Sequence, residues 1–287
     1  MPDNPLLHVS REQTYLASMP NLAFSGICEN WLLKECGHQH WLALANLHDR
    51  PLPDFRDDRG RIAYAAFTAV RSWDMALEKI TENRHFHIHT RLSRAGLARH
   101  FSEHQILLGE RTVGRLALIS TFVSRHTPGD NRSVNKACLA GSNARIAQPS
   151  TLLEELHADN RRLRSGEWQS HYGIHREQCA PSNVFDFSPC PDVDFNGAGF
   201  LYFANFQAMV ERAEWALPGL RRPGHIRRRE LHFHGNLNIG DSLRIKLHPS
   251  QPGNRNLHWC ELYRRGDDYK LADIFTEKVY LSECSRP

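Results

Sequence analysis

A long apolar helix followed by a run of antiparallel strand candidates occurs twice in this chain, and that duplication constrains the fold more than any single motif. In the second copy, residues 197–217 are mostly apolar and aromatic (Phe200, Leu201, Tyr202, Phe203, Phe206, Met209, Val210, Trp215) and stop at Pro218-Gly219. A stretch of that length and composition predicts a helix buried over most of its surface. The short strand Ser182-Asn-Val-Phe-Asp-Phe-Ser precedes it, and strand candidates at 226–234, 242–248, 257–263 and 271–281 follow. Their turns, Asn238-Ile-Gly-Asp241, Pro252-Gly-Asn254 and Arg265-Gly-Asp-Asp268, are those of an antiparallel meander. In the first copy, Gly26-Ile-Cys-Glu-Asn-Trp-Leu-Leu-Lys-Glu opens a helix to about residue 47, with strand candidates at 61–73, 85–92, 103–108 and 113–124. Gly26 and Gly197 stand 171 residues apart, the spacing of a duplicated domain rather than a solenoid. A strongly twisted antiparallel sheet wrapped around one helix would bury each such helix on nearly all sides.

Between the copies the chain changes character. Arg125-His-Thr-Pro-Gly-Asp-Asn-Arg-Ser-Val-Asn is polar and rich in turn residues, and Gln178-Cys-Ala-Pro-Ser-Asn is a second break. Thr151-Leu-Leu-Glu154 reads as a capping box ahead of a short amphipathic helix that ends at Ser165-Gly166. The expected organisation is therefore an N-terminal half over 1–126, a connecting segment with one short helix over 127–180, and a C-terminal half over 181–287.

Composition narrows the function classes. With 287 residues, 40% of them hydrophobic, and a net charge of only +4, the chain can bury a sizeable core and does not demand a nucleic-acid partner. No apolar run approaches the ~18 residues that cross a bilayer. The start, Met1-Pro-Asp-Asn-Pro-Leu-Leu-His, has neither the basic nor the apolar region of a signal peptide. The seven cysteines are scattered and form no C-x-x-C pair, so reduced, buried thiols in a cytoplasmic protein are expected. No G-x-G-x-x-G or phosphate-binding loop is present, and no organic cofactor is expected.

The segment Asp192-Val-Asp-Phe-Asn-Gly-Ala-Gly-Phe-Leu-Tyr-Phe-Ala-Asn-Phe resembles the opening of the hot-dog helix of acyl-CoA thioesterases. Two such units in one chain imply an α+β double hot-dog fold, with two long central helices each wrapped by an antiparallel sheet. Met19-Pro-Asn-Leu-Ala-Phe-Ser-Gly-Ile-Cys-Glu-Asn-Trp-Leu-Leu-Lys-Glu, together with Tyr64-Ala-Ala-Phe-Thr-Ala-Val-Arg, resembles the bifunctional acyltransferase/decarboxylases of leinamycin-type polyketide biosynthesis. That resemblance spans nearly the whole chain. It implies that methylmalonyl-CoA is the substrate and that propionyl is loaded onto the phosphopantetheine of an acyl carrier protein through an acylated tyrosine. Two rivals stand beside it: a hydrolytic thioesterase, and a catalytically silent module that only binds the carrier.

Tyr64 best matches the family's acylated tyrosine. On a strand it shares a face with Ala66, Thr68 and Val70, and the small neighbours leave room for an acyl group. A phenol of ordinary pKa ~10 is a poor nucleophile at neutral pH, so Tyr64 reads equally as a hydrogen-bond donor to an enolate, or as a strand tyrosine capping the core. A developing oxyanion needs preorganised donors, and Gly26-Ile27 and Gly197-Ala198 let backbone approach a thioester closely. The same glycines serve a tight turn into a crowded helix equally well. Asn30 and Asn196 read as carbonyl donors or as ordinary caps, and Asp194 as an N-cap or as the carboxylate of a hydrolase.

Eighteen histidines invite a metal. His85, His87 and His89 alternate along a strand, as do His232 and His234, but steps of ~6.5–7 Å along one strand are too long for one ion. Solvated faces, and no metal, are expected. Arg161-Arg-Leu-Arg164 and Arg221-Arg-Pro-Gly-His-Ile-Arg-Arg-Arg229 are either solvated faces or docking points for CoA phosphates or an acidic carrier. They lack the interleaved aromatics of single-strand nucleic-acid binders. The duplication can replace the usual hot-dog dimer, and a homodimer of double hot-dogs is compatible with it.

Overall fold

The computed structural model describes residues 7–139, 144–178, 183–217, 220–221, 223–249 and 257–280. The Pro252-Gly-Asn254 turn, the Pro218-Gly219 stop, Arg222, Cys179 and Cys284 lie outside the described residues. In chain order the main elements of the first half are β1 (His8–Leu16), α1 (Glu29–Leu47), β2 (Tyr64–Trp73), β3 (His85–Arg94), β4 (Arg99–Leu108) and β5 (Arg111–Arg125). The connecting helix α2 (Thr151–Ser165) follows. The second half comprises β6 (Asn183–Phe187), α3 (Phe203–Ala216), β7 (Gly224–Phe233), β8 (Leu243–Pro249), β9 (Leu257–Arg264) and β10 (Tyr269–Tyr280).

All ten strands belong to one antiparallel sheet in the order β1-β3-β4-β5-β2-β7-β10-β9-β8-β6. Read from its two edges inward, the order is the same, so β1 corresponds to β6, β2 to β7 and α1 to α3. This is a double hot-dog fold. Leu32, Leu33 and Cys36 of α1 share one core with Phe206, Met209 and Val210 of α3 and with the inward residues of both half-sheets. The helices touch where Gly37 faces the Phe203 ring; a Cβ there would stand 2.8 Å from a ring carbon.

The seam between the halves is short. β2 and β7 pair only over Arg229↔Ser72 to His232↔Ala69. α2 covers this seam: Asn160 donates to Thr68 O at 2.6 Å and Asp159 accepts from Arg71 at 3.0 Å. Ser150, not Thr151, is the N-cap of α2, accepting from Leu153 N, and Gly166 closes the helix at φ +74°.

Three expectations need correction. First, α1 starts at Glu29, because Gly26-Ile27 pairs instead with Leu22-Ala23 as a small hairpin. Gly26 has φ +105°, and a Cβ there would come within 2.3 Å of Leu77 O, so only glycine fits. Second, α3 starts at Phe203 rather than 197: Gly199 takes φ +72° and Phe195 bridges Leu201, which makes 195–202 a tight loop. Third, His232 is fully buried and His234 is 8% exposed, because Trp168, His171 and Tyr172 cover that face. The face of His85, His87 and His89 is exposed to half-buried over buried Phe86 and Ile88. Among the cysteines, Cys36 and Cys260 are buried, whereas Cys138 and Cys190 are exposed.

Candidate active site

Beyond Ala69 and His232 the strands β2 and β7 part, and the gap opens into a cavity of about 820 Å³. Its walls are Tyr64–Thr68 of β2, Gly37, His40 and Trp41 of α1, the 196–203 loop and Phe233–Asn236. That is the size and apolar character of a small-molecule site. Aromatic rings set its floor: Phe67 packs on Phe203 at 4.4 Å between centroids and on His40 at 5.1 Å.

The 196–203 loop is fixed from outside. Asn196 Oδ1 accepts from Ala198 N and Phe200 N, both at 3.1 Å, which orients its NH2 group away from the loop. Arg125 donates to Ala198 O, Asn131 donates to Gly199 O at 2.7 Å, and Asn236 exchanges hydrogen bonds with the Leu201 backbone at 2.9 and 3.1 Å. Gly197 N–H and the Asn196 NH2 remain without a protein partner among the described residues, and space is open above Gly197. Two donors fixed in this way suit a carbonyl oxygen that gains charge.

Tyr64 projects into the same cavity. Its ring packs edge-on against Phe200 at 5.4 Å, with the Arg125 guanidinium 5.3 Å from its centroid. Among the described residues its hydroxyl has no partner, unlike a tyrosine that merely caps a core. The other titratable groups in the wall differ sharply. His40 is fully buried, bonds Ser102 and Ser120 at 2.7 and 2.8 Å, and is held well below its ordinary pKa by burial. Tyr202 is pushed up to about 12 by burial. His234 Nε2 meets Asp273 Oδ2 at 2.8 Å, while its buried Nδ1 has no hydrogen-bond partner among the described residues. No carboxylate side chain is among the described lining residues; Lys136 and Arg164 stand exposed at the rim.

The sequence-derived candidates therefore divide. Tyr64, Thr68, Asn196, Gly197 and Ala198 meet at the large cavity, although the Thr68 hydroxyl is turned to Ile119 O at 3.3 Å. Asp194 is buried, and its carboxylate accepts from Cys190 N at 2.8 Å, closing the four-residue helix Pro191–Asp194; it does not line the cavity. Ile27 and Asn30 line a second cavity of about 330 Å³, with Gly26 beside it. Asn30 donates to Ala204 O at 2.8 Å.

The smaller cavity is the pseudo-symmetric mate of the larger. The segment before α1, the start of β7 and the middle of α3 line it, as their counterparts line the other. It is filled differently. Arg229 is fully buried and pairs with Glu29 at 2.8 Å and with Glu211, while Lys278 bridges Glu211 at 2.6 Å and Glu214. Burial pushes the Glu29 carboxyl up. Arg229 is thus no part of a solvated cluster, and Arg227 is engaged by Glu78 at 2.9 Å.

Among the described residues, His171, Glu230 and His232 bring one possible ligand atom each to within 4.8 Å of one another. Most of their hydrogen-bonding capacity is spent internally: Arg162 donates to His171 Nδ1 at 3.1 Å, so His171 Nε2 carries the proton that meets Glu230 at 2.7 Å, and His232 Nε2 meets the same carboxylate at 3.0 Å while its Nδ1 has no partner among the described residues. Arg71 and Tyr172 hold the other Glu230 oxygen. This cluster locks the connecting segment onto the seam.

No family model matches the chain, and no curated protein matches it by sequence. Among solved structures it resembles an acyl-ACP thioesterase from Bacteroides thetaiotaomicron, with a TM-score of 0.63 at 10% identity over 94% of this chain and 97% of that one. The likeness is one of fold. A 12:0-ACP thioesterase from Umbellularia californica matches equally, with a TM-score of 0.63 at 10% identity over 95% of this chain and 94% of that one. The double hot-dog is thus shared from end to end.

Proposed function

We propose that the chain is an enzyme acting on an acyl thioester, which it cleaves to acid and thiol in the large cavity between its halves. The observation that carries this reading is the loop whose Asn196 NH2 and Gly197 N–H have no partner among the described residues, lining a largely apolar space large enough for an acyl group. The thioester oxygen rests on that pair, which strengthens its hold as the carbonyl becomes tetrahedral. Acyl-carrier thioesterases of the same fold support the hydrolytic outcome.

The substrate's thiol arm enters past the rim. Lys136, Arg161 and Arg164 have no carboxylate partner among the described residues, and burial, with Arg99, Arg161 and Lys136 nearby, holds His157 below its ordinary pKa. Such a patch suits the phosphate of a phosphopantetheine arm, on CoA or on an acidic carrier protein.

A second reading is transfer with decarboxylation, in which methylmalonyl is taken from CoA, Tyr64 is acylated and propionyl passes to a carrier protein. The unpartnered Tyr64 hydroxyl favours it, as does a lining that offers a malonyl carboxylate two rim cations and no acid. Incubation with methylmalonyl-CoA and with straight-chain acyl-CoA, each with carrier protein, followed by mass spectrometry, separates the readings. Free acid with an unloaded carrier is the expected result. A propionyl-loaded carrier selects transfer, and intact thioesters throughout would reduce the chain to a binding module.

A further inference from the structure

Most polar side chains in the wall of the large cavity are spent on the protein. The Thr68 hydroxyl turns to Ile119 O, both ring nitrogens of His40 bond serines, and Asn236 holds the Leu201 backbone. Tyr202 is different. It is the N-cap residue of α3, it lines the cavity half-buried, and its hydroxyl has no partner among the described residues. The hydroxyl is not sealed from water either, since it keeps contact with open space. Gly37 fixes its place: the hydroxyl stands 3.5 Å from the point where a Cβ on Gly37 would lie. Gly37, His38, His40 and Trp41 are the residues of α1 that line the cavity.

The surroundings decide what this phenol can bind. Burial, with the Glu35 carboxylate nearby, pushes it up to about 12, so it keeps its proton at neutral pH and serves as a donor. Phe203 packs edge-on against the Tyr202 ring at 5.1 Å and tilts over Phe67 at 4.4 Å, so the hydroxyl looks out of an aromatic wall. The cations of the lining, Lys136 and Arg164, stand exposed at the rim. A carboxylate beside Tyr202 would meet the field of Glu35 within an aromatic surround, whereas a neutral oxygen meets no such penalty.

The backbone sets the depth. Asn196 N donates to Phe200 O and Tyr202 N to Asp194 O, both at 2.9 Å, with Phe195 bridging Leu201 between them. Tyr202 therefore roots one two-residue ladder step, ~6.5–7 Å, from the loop that carries the Asn196 NH2 and the Gly197 N–H. That gap corresponds to a few carbons of an acyl chain.

We propose that Tyr202 selects acyl groups that carry a neutral keto or hydroxyl oxygen a few carbons beyond the thioester carbonyl, and that its hydroxyl donates to that oxygen. The proposal rests on the thioester-hydrolase reading and names its substrate class. A saturated chain in the same place covers the hydroxyl with methylenes and leaves it without an acceptor. Tyr202 thus works against plain chains as well as for oxygenated ones.

The experiment presents the full chain with octanoyl-CoA, 3-oxooctanoyl-CoA and 5-oxooctanoyl-CoA and follows release of free thiol. In wild-type protein kcat/KM is expected to be higher for at least one oxo substrate than for octanoyl-CoA. Tyr202→Phe should reduce that ratio about 10–100-fold, slowing the oxo substrate and speeding octanoyl-CoA. Comparing ratios cancels the intrinsic reactivities of the thioesters, and a purely structural phenol would move all the substrates together. An unchanged ratio in folded Tyr202→Phe overturns the proposal and leaves thioester hydrolysis standing. A wild-type protein that releases no thiol from any of them overturns the hydrolase reading alone. Tyr202 is then judged by calorimetric binding of the uncleavable thioethers S-octyl-CoA, S-(3-oxooctyl)-CoA and S-(5-oxooctyl)-CoA. A preference for an oxo thioether that Tyr202→Phe erases supports the proposal, and equal affinities in wild-type protein overturn it. The same wild-type comparison decides should the variant fail to fold.

Discussion

The Arg125 guanidinium lies 4.0 Å above the Phe200 ring while the same side chain donates to Ala198 O, so one residue holds both ends of the donor loop. It also bonds Asn131 Oδ1 at 2.8 Å and flanks the Tyr64 ring. Stacking and a charge-assisted hydrogen bond to a loop carbonyl fix geometry more than they add to global stability. Arg125→Met should therefore lower kcat/KM about 10–100-fold and lower Tm by only a few degrees. Steady-state kinetics beside a thermal melt check this, and a large loss of Tm with normal residual turnover would refute it.

Tyr64→Phe separates the roles open to the phenol. As a donor to the substrate its removal costs roughly one hydrogen bond, about 1–1.5 kcal/mol, or a tenfold loss of rate. As a covalent carrier of the acyl group its removal abolishes transfer. The expected outcome is a tenfold loss with no acyl adduct on a Tyr64 peptide of the wild-type protein, read by rapid-quench mass spectrometry.

The repeat was legible because each half announces its buried helix and meander by local means, apolar runs and turn residues. β1, His-Val-Ser-Arg-Glu-Gln-Thr-Tyr-Leu, was not, since an edge strand with one buried side chain shows no apolar pattern. Strand periodicity correctly places His232 and His234 on one face. Whether that face is wet depends on residues 168–172 folding over it, a contact some 60 residues away in sequence. The His234–Asp273 pair likewise exists only through the register of β7 on β10, in which Phe233 faces Ala272. Asn196, Gly197 and Tyr64 came from motif resemblance, but their convergence follows from the opening of the β2–β7 seam, which no local pattern encodes.

Buried histidines should make the fold acid-sensitive. In the first half His48 Nε2 lies 2.9 Å from His100 Nε2, and His104 bonds Thr90 and Ser102, both at 2.8 Å. Burial lowers His48 to about 4 and His104 to about 3, and holds His40 and His100 well below the ordinary value of 6.5. Above pH 6.5 each is neutral in both states and has no effect on the pH slope. Below it the unfolded chain binds protons that the folded chain refuses, so stability falls as pH drops from about 6.5 toward about 4. Each such group contributes on the order of 1–3 kcal/mol to that loss. Urea melts at pH 7, 6, 5 and 4.5 should show a steadily falling midpoint, and His104→Gln should flatten the slope. A midpoint independent of pH would contradict it.

Arg229→Met tests whether the smaller cavity is held shut by its ions. The guanidinium touches Glu29, Glu211 and Thr276 and is wholly buried, so its loss strips the main cation from Glu29, whose carboxyl burial already pushes up. Removing one partner of a buried ion cluster costs about 3–5 kcal/mol, because the remaining charge must be desolvated alone or take a proton. The variant should unfold at markedly lower denaturant. The double variant Arg229→Met/Glu29→Gln should regain part of the loss, because it removes the stranded charge as well as its partner. Equal stability of wild type and Arg229→Met would show that the cluster is solvated, and that the smaller cavity is as open to ligands as its larger mate.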